Sequence, residues 1–82
     1  MNMLLEERVR GVVSTTFDVP LDEVTMDTSR ETLEQWDSMG HLVLTLELEQ
    51  EFGVQLEPEQ VVRMTSVRDV AEVLATEHAV LV

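Results

Sequence analysis

Apolar residues near the start of the chain, Leu5, Val9, Val12, Val13 and Phe17, recur at three- and four-residue intervals. That spacing predicts a helix over Met3 to Phe17 with one face turned inward. Glu6 and Glu7 suit the positive end of its dipole, while Gly11 weakens it by about 1 kcal/mol relative to alanine. The β-branched residues between Val12 and Thr16 leave a strand reading open, but the spacing favours helix. Asp18 to Asp37, with Pro20 and many Asp, Ser and Thr residues, reads as a long connector. A structureless loop of that length is unusual, so Val24, Met26, Leu33 and Trp36 are expected to tie it to the core. Thr28 and Glu31 have the spacing of a capping box opening a short helical turn.

Ser38 to Phe52 gives the clearest helical pattern, with Asp37 at the N-cap position and Gly53 just past the end. It carries two apolar stripes. Leu44, Leu48 and Phe52 form one and are expected to be buried; Met39, Leu42 and Leu46 form the other. Pro58 opens a short helix to Arg63, followed by Met64. Ser66 and Asp69 mark the start of a last helix with Val67, Val70, Val73 and Leu74 inward. The tail from Glu77 to Val82 is expected to fray. The fold class is therefore all-α: a four-helix bundle of three longer helices and a short third one, with a long loop between helices 1 and 2. Residues 1–82 form a single domain, without internal repeats.

Composition narrows the chemistry. With 82 residues, 44% hydrophobic and 4% aromatic, the core is small and aliphatic, too thin for a large buried active site. The absence of cysteine excludes disulfides and thiolate metal sites. No run is long enough for a membrane-spanning helix, and the residues from Met1 to Leu5 have no basic leader, so a soluble cytoplasmic protein is expected. Net charge is −12; all five basic residues are arginines and lysine is absent. Such a surface disfavours nucleic acid and anionic lipid and favours partners with basic patches. Between Arg30 and Arg63 no basic residue interrupts the acidic side chains, so the negative field centres on the middle of the chain.

The candidate chemistry lies in Trp36-Asp37-Ser38-Met39-Gly40-His41-Leu42. Ser38 stands at the first turn of the second main helix, where backbone N–H groups and the dipole favour a phosphate. Two readings stay open on physics alone: a helix-capping serine, or a serine that bears an anionic group. An Asp37/Ser38/His41 hydrolase triad lacks an oxyanion hole and a water-excluding cleft. Asp18, Asp22, Glu23 and Asp27 lack the spacing and central glycine of a calcium-binding loop.

The segment from Trp36 to Val54 resembles the modification site and second helix of acyl carrier proteins: an Asp-Ser-Leu triplet, here Asp37-Ser38-Met39, then an apolar and acidic helix ending Glu-x-x-Phe-Gly, here Glu49 to Gly53. Met64-Thr65-Ser66-Val67 is similar to the family's junction between the third and last helices. The resemblance implies covalent 4′-phosphopantetheine on Ser38, installed from coenzyme A by a phosphopantetheinyl transferase. It implies Asp37 as the capping neighbour that helps place metal in the transferase complex, and His41 as a histidine beside the phosphate or interface. The chain itself then catalyses nothing; it is a monomeric carrier of acyl thioesters. Its partners are acyl-activating, condensing or acyltransferase enzymes with basic docking patches.

On that reading Met39, Leu42 and Leu46, with Met64, form the partner-facing patch and the mouth of a shallow acyl pocket. The alternative is core packing between helices 2 and 3. Glu47, Glu51, Glu57 and Glu59 are candidate docking acids or simple solvated charges, and His78 reads as solvated. Many fatty-acid-synthesis carriers have acidic residues where this chain has Gly40 and Val43, which points to polyketide or other specialised biosynthesis. Rival readings are an aminoacyl or peptidyl carrier of nonribosomal synthesis, and an unmodified acidic helical interaction module.

Overall fold

The computed structural model describes residues 3–80, so the leader reading at Met1 and Asn2 and the end of the tail, Leu81 and Val82, lie outside the described residues. Four helices follow one another among the described residues: α1, Met3–Phe17; α2, Ser38–Phe52; α3, Pro58–Arg63; and α4, Val67–Glu77. The expected bundle of three longer helices and a short third one is what forms, with the long loop between α1 and α2. The core is aliphatic apart from Trp36 and Phe17, and it draws Leu5, Val9 and Val13 from α1, Leu44 and Leu48 from α2, and Val67, Val70 and Leu74 from α4.

α1 is the central element and packs against both α2 and α4. It runs antiparallel to α2. At one end Phe17 meets Trp36 with ring centroids 5.7 Å apart. At the other, Arg8 pairs with Glu51 at 3.0 Å and lies 4.6 Å over the Phe52 ring. α1 closes with Asp18 at φ 55, a left-handed position that aspartate tolerates better than most residues. The Val19 N–H then returns to the Ser14 carbonyl at 3.0 Å.

The connector is tightly fastened. Val24 and Trp36 are buried, and Met26 and Leu33 pack on the core, as their spacing predicts. Arg10 holds two of its carbonyls, Val24 at 2.7 Å and Leu21 at 3.1 Å. A helical turn forms near the expected place, with the Leu33 N–H on the Ser29 carbonyl at 3.0 Å, and a short 3-10 turn forms at Leu21–Glu23, but Thr28 and Glu31 do not make a capping box. Instead Thr28 Oγ1 accepts from the Thr25 N–H, and Ser29 and Thr32 bond one another's turn. The reason is tertiary. This stretch lies against the start of α4, with Ser29 bridged to Ser66.

The connector thereby completes the N-terminus of α4. Thr28 O accepts from Val67 N–H at 2.9 Å and Met26 O from Arg68 N–H at 3.0 Å. Ser66 Oγ takes the Asp69 N–H at 3.1 Å. First-turn amides have no intrahelical acceptor. Here a loop from much earlier in the chain supplies two of them, which is why so long a segment stays ordered. At the other end, α4 stops at Glu77 and the chain folds back, so that Val80 N–H reaches the Leu74 carbonyl at 2.9 Å and its side chain meets the core. The tail expected to fray is packed as far as Val80.

Candidate functional site

The first turn of α2 is set by two contacts. Asp37 adopts an extended backbone and its carboxylate accepts the Gly40 N–H at 2.8 Å. The Asp37 carbonyl accepts the His41 N–H at 2.8 Å. The preceding amides, Ser38 and Met39, are left by helix geometry without an intrahelical acceptor. Ser38 is exposed, at a helix N-terminus. An anionic group on its hydroxyl oxygen meets open N–H donors and the positive end of the α2 dipole. The residues present therefore fit a phosphodiester, despite the acidic surface around them.

Gly40 has a steric reason to be glycine. A Cβ there would fall against the Gln35 carbonyl and 2.8 Å from Phe17 Cε1. The connector and the end of α1 press on the first turn of α2 at this point, and only a residue without a side chain lets them close.

His41 departs from its expected place. It is 6% exposed and points inward, where its Nδ1 accepts the Trp36 indole N–H at 2.9 Å. Because indole N–H can only donate, Nδ1 carries the lone pair and Nε2 the proton, which is donated to the Val61 carbonyl at 2.8 Å. His41 is thus a buried link between the connector, α2 and α3, and neither borders the phosphate position nor faces a partner. The sequence held the signal: His41 falls seven residues before Leu48 and three before Leu44, on the buried stripe.

Met64 is the second correction. It is fully buried, in the core beneath α3, so it lines no surface cleft and does not belong to an exposed patch. The other stripe residues face solvent: Met39 is 70% exposed, Leu42 57% and Leu46 53%. Val43 at 41%, which its apolar character already set against a hydrophobic partner surface, and Val62 at 74%, which was not assigned to it from sequence, extend the apolar surface. Core packing between α2 and α3 is therefore not what Met39, Leu42 and Leu46 do. Single exposed apolar residues are ordinary, but several on one helix beside Ser38 form a patch that calls for a partner.

Among the acidic candidates, Glu47, Glu57 and Glu59 are exposed. Glu51 is also exposed but is paired with Arg8, which partly neutralises its charge. α3 is held by polar latches that the sequence did not announce. Gln60 is 7% exposed; its Oε1 accepts from Glu57 N–H at 3.0 Å and from His78 Nε2 at 2.8 Å. Its Nε2 donates to Glu77 at 3.1 Å, and Arg63 reaches the same carboxylate at 2.7 Å. His78, read as solvated, is half-buried and engaged in this network.

Two comparisons bear on the site. The family model described as the phosphopantetheine attachment site matches residues 7–74, a span that holds α2, α3 and most of α1 and α4. The acyl carrier protein of Petrotoga mobilis is 34% identical over 71 residues, covering 87% of this chain and 84% of its own length.

Proposed function

Because the chain belongs to the phosphopantetheine attachment-site family, whose cofactor is covalently bound 4′-phosphopantetheine, we propose that Ser38 is the residue that carries it. The supporting observation is an exposed serine at the open N-terminus of α2, capped by Asp37. In the active site of a phosphopantetheinyl transferase, Ser38 Oγ gives up its proton and forms the bond to phosphorus as the nucleotide half of coenzyme A leaves. When bound, the arm supplies a terminal thiol that holds acyl groups as thioesters. The chain's own residues hold and present; Asp37 fixes the helix start, and its carboxylate helps place the transferase's metal ion. No step of acyl chemistry is assigned to this chain.

The cargo is handed to separate enzymes through the α2 face. Met39, Leu42, Val43 and Leu46 supply apolar contact, and Glu47 and the surrounding acidic field attract a basic rim. Methionine beside the attachment point suits partners of differing shape. Val43 puts an apolar side chain where fatty-acid-synthesis carriers often hold an acid, which favours acyl-processing enzymes of polyketide or other specialised biosynthesis. Gly40 carries little weight in that choice, since packing against Phe17 and Gln35 accounts for it.

Intact mass measurement after incubation with coenzyme A and a transferase tests the assignment. The native chain should gain one phosphopantetheinyl group, and Ser38→Ala none. Modification that persists in Ser38→Ala would overturn it.

A further inference from the structure

A second apolar surface lies away from Ser38. Between α1 and α4 runs a groove of about 340 Å³ whose floor is Leu5, Met26, Ala71 and Ala75. The alanines, at i and i+4 on α4, keep it open. Met3, one turn before Glu6 on α1, is 73% exposed. Phe17, at the far end of α1, is the residue that touches the start of α2. From Phe17 back to Leu5 the helix rises roughly 18 Å, at about 1.5 Å per residue. The groove is therefore nearly one helix length from the attachment turn.

Its rim is acidic. Glu6 and Glu72 border it, and Arg68, the one cation lining it among the described residues, is bonded to Asp27 at 2.9 Å. The Arg68 guanidinium is held protonated above its ordinary range first by that hydrogen bond and then by the charge of Asp27. Arg68 is bonded to Asp27 and also feels the charge of Glu6, but Glu6, Glu72 and Asp27 together outnumber it and leave the rim net negative around an apolar floor. The same complementarity argues against a second copy, since two chains of net charge −12 repel one another.

We propose that this α1/α4 groove is a docking site for a cationic amphipathic helix of a partner protein, with an apolar ridge on Met26 and Ala75 and basic side chains against Glu6 and Glu72. The proposal rests on the carrier reading for its use. A carrier must leave its α2 face free to change enzymes, and a grip on the opposite end holds it to an assembly without covering Ser38.

The test uses the phosphopantetheinylated protein and a synthetic helical peptide with leucines at i, i+3 and i+4 flanked by arginines, followed by amide chemical shifts. Perturbations should centre on Leu5, Ala71 and Ala75. Ala75→Arg, at an exposed helical position, should weaken binding by about tenfold or more by filling the groove and repelling the cations. The Glu6→Gln/Glu72→Gln pair should weaken it severalfold and flatten its salt dependence. A matching leucine/glutamate peptide should not bind. Ser38→Ala, which cannot be loaded, should bind as well as the native chain, so that failure here is distinguishable from failure of the carrier reading. Shifts centred on Met39, Leu42 and Leu46, or binding indifferent to Ala75→Arg, would overturn the proposal.

Discussion

The Trp36 indole N–H ends on Nδ1 of His41 at 2.9 Å, joining the residue before the helix cap to the first turn of α2 through the core. His41 then continues to the Val61 carbonyl. One imidazole therefore holds the connector, the attachment helix and α3 in a single register, with Ser38 outside it.

Trp36→Phe keeps an aromatic ring but leaves Nδ1 without a donor. A buried unsatisfied polar group costs about 1–3 kcal/mol, and the lost volume adds to that. Chemical denaturation should show a loss of about 2 kcal/mol or more. His41→Leu should cost a similar amount, and the double variant should cost clearly less than the sum of the two, because the groups share one network. Additive effects would mean that the bond contributes nothing.

The helix glycines should respond in opposite directions. A Cβ at Gly11 meets nothing within 4 Å, so Gly11→Ala should stabilise the fold by about 0.5–1 kcal/mol. Gly40→Ala should destabilise it by about 1–3 kcal/mol through overpacking against Phe17 and the Gln35 carbonyl. Thermal melts of the two variants make the comparison directly.

Leu42→Asp and Leu46→Asp should leave stability within about 0.5 kcal/mol, since both positions are exposed. Loading rates with a transferase and transfer rates with partner enzymes should fall, because a charge then enters the apolar contact. Unchanged rates in both variants would remove the α2 patch from partner recognition.

The latch between α3 and α4 should weaken in acid. Glu77 is held below the usual glutamate range, first by the hydrogen bond from Arg63 and then by the one from Gln60. A carboxyl lowered in the folded state contributes stability that is complete above its unfolded pKa and is lost as pH falls through the folded one. The native chain should melt above Glu77→Gln at neutral pH, and the difference should close below the ordinary glutamate range. A gap independent of pH would argue against the ion pair as its source.

Much of this fold is local and was therefore readable. Helix periods, Asp37 and Ser66 as caps, Gly53 in the left-handed region and Pro58 at a helix start depend on neighbours a few residues away. The position of Ser38 at the head of α2 follows from the same local signals. The connector was legible in its apolar anchors and in the presence of a helical turn, but not in how that turn is capped, because its Thr28 and Met26 carbonyls are claimed by α4.

Residue type and short-range spacing were enough for the helices, the acidic surface and the hydroxyl that heads α2. Which polar and flexible side chains turn inward was left to long-range packing. His41 and Met64 look like surface chemistry in one dimension; they are buried because Trp36, Val61 and the underside of α3 close over them. Burial is a property of what arrives from elsewhere in the chain; the stripe spacing pointed to it for His41, but no local pattern carries it for Met64.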